Sequence, residues 1–108
     1  LPFVDFATGS LGMGMANSAG IAYASKYLDK NPIRVFCIVG DAELMEGSNW
    51  EAAHFASFYK LDNMVVILDL NKLGQSDFTS LQHDVKTFEG RFKEFGFRVI
   101  CVDGHNVE

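Results

Sequence analysis

Two side chains suited to a hard cation follow two separate apolar runs of the sequence. Asp41 comes just after the run at residues 33–39, and Asn71 follows the run at 64–70. Glu43 and Asn71 are separated by 27 residues, about one helix and one strand. Carboxylate and amide oxygens are ligands for Mg²⁺ or Ca²⁺, and Mg²⁺ usually completes its octahedron with phosphate oxygens and water. If the two runs are neighbouring strands, the pair predicts a metal site shared by their ends.

A glycine-bearing segment adds a possible phosphate site. The stretch Gly9-Ser10-Leu11-Gly12 opens a predicted helix, where free N–H groups and the helix dipole favour an anion. Its glycines do not have the G-x-G-x-x-G spacing of a dinucleotide site, and the Gly-Lys-Ser/Thr of a Walker A loop is missing. A metal-bridged diphosphate fits both segments. The alternative for Asp41 is a loop acid that caps the next helix.

The segments that must position these residues alternate in type. Apolar runs predict three strands, and the first two are of the kind covered on both faces of a parallel sheet. Helical spacing predicts three helices, with Gly96 ending the last. The order α-β-α-β-α-β predicts an α/β fold with a parallel sheet and crossover helices. The predicted strands are 33–39, 64–70 and 97–102, and the predicted helices are 11–28, about 48–59, and 85–95.

Length and composition narrow the class of protein. The 108 residues are at most one domain, 48% hydrophobic and 21% charged. The net charge of −5 disfavours a nucleic-acid partner, and apolar runs such as 64–68 are too short to span a membrane. Cys37 and Cys101 lie in predicted strands and are expected to be buried thiols, in a reducing, cytoplasmic compartment. The absence of an initial Met indicates a piece of a longer chain.

Longer stretches carry a family resemblance. Gly40-Asp41-Ala42-Glu43, followed after 27 residues by Asn71, resembles the thiamine diphosphate motif. The segments ATGSLG, GDAELMEGSNWEAAHFASFYKLDNMVVILDLNKLGQSD and VDGHNVE resemble the transketolase family along essentially the whole chain. The resemblance implies a thiamine diphosphate-binding fold, with residues 1–108 forming a partial domain of the type that anchors the pyrophosphate.

The resemblance also implies a set of metal ligands. A divalent metal, Mg²⁺ or Ca²⁺, would be held by Asp41, the side-chain oxygen of Asn71 and the backbone carbonyl of Leu73. Gln75 would lie near this loop, in a role that the resemblance does not fix.

The cofactor itself would be lined by Gly9, Ser10 and Leu11. Its diphosphate would meet backbone N–H groups around Ala42 and Glu43. The family motif has a glycine where this chain has Ala42. If that position needs a positive φ or a close approach to phosphate, alanine costs about 1 kcal/mol or intrudes on the ligand, whereas at a negative φ it is benign.

Other residues give weaker indications of a functional role. Glu46 and Glu51 match family glutamates near a subunit interface, and the alternative is two acids favoured at a helix start. His105 follows a predicted strand end and is a possible site residue, while His54 and His83 are interpreted as structural or solvated. Trp50 and the ten phenylalanines are expected to lie mostly in the core.

The implied enzyme moves a two-carbon ketol unit from a ketose phosphate to an aldose phosphate in the pentose phosphate pathway. It works as a homodimer, with an activating glutamate from a domain of the partner subunit. That domain and the family's substrate-channel histidines lie outside these residues, so we expect no catalytic residue and no turnover in residues 1–108. Two alternatives remain: a non-catalytic fragment acting as an interaction module, or the half-site of another thiamine diphosphate enzyme, such as a dihydroxyacetone or deoxyxylulose-phosphate synthase. Because half of the family's subunit contact is outside these residues, we expect an apolar face to be exposed and to favour self-association.

Overall fold

The computed structural model describes residues 2–31, 33–74, 76–81 and 84–106, so the expectations for Gln75 and His83 lie outside the described residues. Within these residues, three helices alternate with two strands, which confirms the α/β class. A π-helical turn at Ala24–Leu28 continues the first helix, and a 3₁₀ turn at Glu43–Met45 precedes the second. The elements are α1 (Met13–Tyr23), β1 (Val35–Gly40), α2 (Gly47–Phe58), β2 (Met64–Asp69) and α3 (Val85–Glu94).

The sheet places the two strand ends side by side. β1 and β2 pair in parallel, in a register that runs from Val35 opposite Met64 to Gly40 opposite Asp69. The prediction that the first two strands are parallel neighbours is therefore confirmed. Because parallel strands end at the same edge of a sheet, Asp41 and the residues after Asp69 emerge together.

The core lies on one face of this sheet, under α1, and α2 packs against α1. Small side chains let α1 approach both α2 and β1 closely, and buried Met15 and Cys37 belong to the same core. Burial also raises the pKa of the Cys37 thiol. In α3, Phe88 and Phe92 are one turn apart and buried, and Gly96 follows the helix with φ +83°, as expected for a C-cap. The buried alanines are Ala19, Ala22, Ala52, Ala53 and Ala56.

The prediction of a third strand at 97–102 is wrong for the described structure. That segment pairs with no strand in the described part of the chain, and the Phe97 N–H instead donates to the Phe92 carbonyl, 3.0 Å away. Ile100 and Val102 are 71% and 82% exposed, and Cys101 is exposed rather than buried. β-type composition forms a strand only where a sheet edge accepts its backbone hydrogen bonds, and no described strand does so here.

The expectation of a sheet covered on both faces is also wrong. Phe36 and Ile38 on β1 are 62% and 72% exposed, and they are paired in register with Val65 and Ile67 on β2. We call these four residues the open face of the sheet. The described helices cover only the opposite face. The expected exposed apolar surface is thus present.

The phenylalanines were expected to be mostly core, and this expectation is wrong too. Of the described ones only Phe88 and Phe92 are buried, while several are more than half exposed. Those are Phe3, Phe6, Phe36, Phe58 and Phe78. Within the described ranges, no helix combines the length and apolar character needed to cross a membrane.

Candidate functional site

Asp41 is the most deeply buried acidic group of the described chain, with 1% of its surface exposed. Its backbone N–H donates to the Asp69 carbonyl at 3.1 Å, which extends the β1–β2 ladder by one step. Its Oδ1 accepts the Ala42 N–H at 3.0 Å. Its Oδ2 accepts both the Lys72 N–H and the Thr79 hydroxyl, each at 2.8 Å. The carboxylate therefore joins the end of β1 to the segment that follows β2.

All three donors to Asp41 are neutral. An ionised carboxylate has about four acceptor positions, so the donors among the described residues leave one position on Oδ1. No lysine or arginine among residues 2–31, 33–74, 76–81 and 84–106 forms an ion pair with Asp41. A buried carboxylate without a counter-charge is unfavourable. A hard divalent cation at Oδ1 would supply that charge, so the residues present fit the expected metal.

The alternative that Asp41 merely caps a helix accounts for one of its three hydrogen bonds. The Ala42 N–H lies at the start of the 3₁₀ turn, but the bonds from Lys72 and Thr79 cross from β1 to the segment after β2. The N-caps of the 3₁₀ turn and of α2 are Ala42 and Glu46, and neither side chain makes a capping hydrogen bond. The geometry thus favours a role in joining the two strand ends.

Asn71 lies at the same edge of the sheet and is exposed. Its side-chain oxygen accepts the Leu73 N–H at 2.9 Å, and its Nδ2 donates to Asp69 Oδ2 at 3.2 Å. The adjacent residue, Lys72, donates its N–H to Asp41 and has a left-handed φ of +71°. The structure thus brings the Asn71 turn against Asp41. The amide oxygen has two lone pairs, and one is occupied by Leu73.

The segment after β2 folds back on itself as a narrow loop, which we call the β2 loop (residues 71–74 and 76–80). Leu73 and Phe78 form an antiparallel bridge, and the Thr79 N–H donates to the Lys72 carbonyl at 3.0 Å. The Gly74 N–H donates to the Asp77 carbonyl at 2.7 Å. These bonds bring Thr79 beside the turn that carries Asn71 and Leu73, the expected metal ligands.

The start of α1 holds a protein carboxylate where an anion was expected. Gly12 is the N-cap with φ +85°, and its N–H donates to Glu43 Oε1 at 3.0 Å. The Ser48 hydroxyl donates to the Gly12 carbonyl at 2.8 Å. A Cβ on Gly12 would lie 2.3 Å from Ser48 Oγ and 2.7 Å from Glu46 Cβ. The glycine is therefore required both by backbone conformation and by close packing.

The three residues expected to line the cofactor lie just before this helix start. Gly9, Ser10 and Leu11 are all exposed, and a Cβ on Gly9 would meet nothing within 4 Å. The Ser10 carbonyl accepts the Met13 N–H at 3.4 Å. The segment is open to a ligand, and its contact with a cofactor stays a prediction.

The backbone of Ala42 settles the question of strain, while its approach to a phosphate stays a prediction. Ala42 has φ −64° and ψ −41°, an ordinary right-handed helical conformation in which alanine is unstrained. Its N–H, expected to meet the diphosphate, donates to Asp41 Oδ1 in this structure. The 3₁₀ turn that follows is held by Asn49 Nδ2 donating to the Glu43 carbonyl at 2.5 Å and by the Trp50 indole donating to the Leu44 carbonyl at 3.0 Å.

The remaining candidates do not join this cluster. Glu46 and Glu51 are exposed, with Glu46 at the N-cap of α2, so their interface role stays a prediction. His105 is 97% exposed at its side chain, and its Nδ1 lies 3.5 Å from Asp103 Oδ1. His54 is also exposed, and its ring packs near Phe95.

Sequence reasoning did not find Thr79. Its buried hydroxyl completes the environment of Asp41, but a threonine in a polar loop carries no signal of a contact 38 positions away. Among the described residues, no group of three or more His, Cys, Asp or Glu side chains is placed to hold a metal. The expected ligand set contains only one such side chain, Asp41.

Comparison with known proteins covers the entire chain. Residues 1–108 match the family described as "Transketolase, thiamine diphosphate binding domain". The chain is 57% identical to "Transketolase" of Homo sapiens over 106 residues, which is 98% of this chain and 17% of that protein. It is 53% identical over all 108 residues to "Transketolase-like protein 2" of Homo sapiens and 50% identical to "Transketolase-like protein 1" of Bos taurus, covering 17% and 18% of those proteins. The chain thus spans about a sixth of the length of these relatives.

Proposed function

Because the chain belongs to the transketolase family, matching its thiamine diphosphate-binding domain over residues 1–108, we propose that it anchors the diphosphate of that cofactor through a divalent metal. The metal, Mg²⁺ or Ca²⁺, would be held by Asp41, the side-chain oxygen of Asn71 and the carbonyl of Leu73. Residues 9–11 would line the cofactor beside it. The complete enzyme would transfer a two-carbon ketol unit from a ketose phosphate to an aldose phosphate, as part of the pentose phosphate pathway.

One observation carries this proposal. Asp41 is a buried carboxylate with neutral donors on three of its acceptor positions and no ion-pair partner among the described residues. A cation at the remaining position of Oδ1 would balance its charge and would sit at the edge where the Asn71 turn approaches. The role of the protein here is to hold the diphosphate and fix its orientation, while the cofactor supplies the carbanion chemistry.

The proposal assigns no turnover to these residues alone. In the family to which the chain belongs, the activating glutamate comes from a domain of a partner subunit, and we propose the same homodimeric arrangement here. Glu46 and Glu51, both exposed near the start of α2, are the residues that would meet that partner. Transfer of a ketol unit by residues 1–108 in isolation would contradict this part of the proposal.

The test is titration calorimetry of thiamine diphosphate with Mg²⁺ into the complete natural polypeptide that carries residues 1–108. We expect binding heat in the parent protein and its loss in Asp41→Ala and Asp41→Asn. The asparagine variant keeps nearly the same volume, but it removes the charge and replaces one acceptor oxygen by an NH2 donor. Its thermal unfolding is therefore measured beside the parent, and loss of binding counts only in a variant that remains folded. Asp29→Ala changes an exposed acid after α1 and should bind normally.

The alternative, a non-catalytic interaction module, is favoured by one observation: the apolar open face of the sheet (Phe36, Ile38, Val65 and Ile67). Backbone strain at Ala42 does not support it, because its φ of −64° suits alanine. The same titration separates the two functions. No binding heat in a folded parent protein would favour the interaction module over the cofactor anchor.

A further inference from the structure

We propose that Thr79 is a positioning residue that orients the Asp41 carboxylate toward the metal. The inference rests on the proposed function, because it concerns the same metal site. The Thr79 hydroxyl donates to Asp41 Oδ2 at 2.8 Å, and both residues are buried, at 7% and 1% exposure. No motif of the family resemblance includes this threonine.

The two carboxylate oxygens of Asp41 differ in the number of hydrogen bonds that they accept. Oδ2 accepts two donors, from Lys72 and Thr79, so both of its lone pairs are used. Within the described part of the chain, Oδ1 accepts one hydrogen bond, from the Ala42 N–H. The hydroxyl and the Lys72 N–H therefore turn Oδ2 toward the β2 loop, and Oδ1 keeps the acceptor position that a cation needs.

Thr79 is held in place by hydrogen bonds of the β2 loop. Its N–H donates to the Lys72 carbonyl, while the Lys72 N–H donates to the same carboxylate oxygen as the Thr79 hydroxyl. Its β-branched side chain restricts χ1, so the hydroxyl has little freedom to leave Asp41. The bonds on both sides of Lys72 also hold that residue in its left-handed conformation, φ +71°, which a side chain disfavours.

Removal of the Thr79 hydroxyl would leave the Asp41 carboxylate freer to rotate. A valine has the same shape but donates nothing, so Oδ2 would keep one unused lone pair inside the protein. Rotation of a carboxylate about its terminal torsion meets only broad minima, and the carboxylate can then turn away from the metal position. Loss of one hydrogen bond to a charged group corresponds to roughly a tenfold loss of affinity.

The experiment compares Thr79→Val, Thr79→Ser and the parent in the complete natural polypeptide. Mg²⁺ is titrated in the presence of excess thiamine diphosphate and followed by calorimetry. Thermal unfolding is measured with and without both ligands. We expect Thr79→Val to need about tenfold more Mg²⁺ and to show a smaller rise in Tm on loading. Thr79→Ser keeps the hydroxyl and should stay within about threefold of the parent.

Thr87→Val is the matched control. It removes the same kind of bond, from the Thr87 hydroxyl to Asp84 Oδ2 at 2.7 Å, but at the start of α3. It should lower Tm in both states equally and leave the Mg²⁺ requirement unchanged.

Three results would overturn the inference. In the first, Thr79→Val binds Mg²⁺ like the parent while Asp41→Asn does not bind, which leaves the proposed function intact. In the second, Thr79→Val lowers Tm without changing the rise on loading, which makes the hydroxyl a purely structural contact. In the third, the folded parent binds neither ligand, which overturns the proposed function together with this inference.

Discussion

Gly12 and Ala42 lie near the site and differ in whether the position tolerates a Cβ atom. Ala42 replaces a family glycine without strain, because its φ is −64°. Gly12 cannot be replaced in the same way, because its φ is +85° and the space beside it is filled by Ser48 and Glu46. The requirement for glycine is thus set by the backbone conformation and packing of each position. A motif letter alone does not determine it.

Gly12→Ala should destabilise the chain by about 1–3 kcal/mol, because it adds a Cβ at a left-handed residue and against a close neighbour. The control is Gly20→Ala on α1, where a Cβ meets nothing within 4 Å. That change should stabilise the helix by up to about 1 kcal/mol. Urea unfolding of both variants measures the difference, and equal stabilities would contradict the assigned geometry of the α1 start.

Among the helices, α3 has an N-cap formed by residues at its own start. Asp84 is the N-cap and accepts both the Thr87 N–H and the Thr87 hydroxyl, which holds the pKa of the Asp84 carboxyl below its usual value. A depressed folded pKa means that the ionised cap stabilises the folded state above the unfolded value of 3.8. The contribution is lost as pH falls through the folded pKa.

Asp84→Ala should therefore lower the urea midpoint at pH 7, and its difference from the parent should shrink as pH falls below 3.8. The measurement is urea unfolding followed by circular dichroism across that pH range. A difference that stays constant down to the acid limit would show that the ionised cap is not the cause.

The helices and the first two strands could be predicted because their signals are local. The 3.6-residue spacing of Phe88 and Phe92, and the apolar run before Asp41, identify elements that form from neighbouring residues. The segment at 97–102 has the same strand-like composition, but a strand also needs a partner edge, which composition does not report. The contact of Thr79 with Asp41 likewise depends on how the β2 loop folds back.

The whole molecule exposes more surface than its size requires. Its accessible area is 7742 Å², against about 6,000 Å² for a monomeric protein of this length. A contiguous part of the excess is the open face of the sheet, where apolar residues of β1 and β2 lie in register. Such a face favours association with other apolar surfaces.

Ile38→Lys should reduce self-association of the 108-residue chain without reducing its stability, because Ile38 is 72% exposed at the centre of the open face. Sedimentation velocity over a range of concentrations measures the association. The contrasting variant is Val39→Thr, at a fully buried position on the same strand, which should destabilise the fold. Unchanged sedimentation of Ile38→Lys would show that the open face does not drive association.

The Glu43 carboxylate lies at the start of α1. Under the proposed function, its charge affects the order in which the metal and the cofactor bind. The Glu43 carboxylate already accepts the Gly12 N–H at the positive end of the α1 dipole. Asp41 lies two residues before Glu43 in the sequence. A bare pyrophosphate tail approaching here would meet two acids within residues 1–108, whose net charge is −5, and would be repelled. The diphosphate and its cation would have to bind together as a neutralised pair. A chelator would therefore slow binding of the cofactor as well as promote its release.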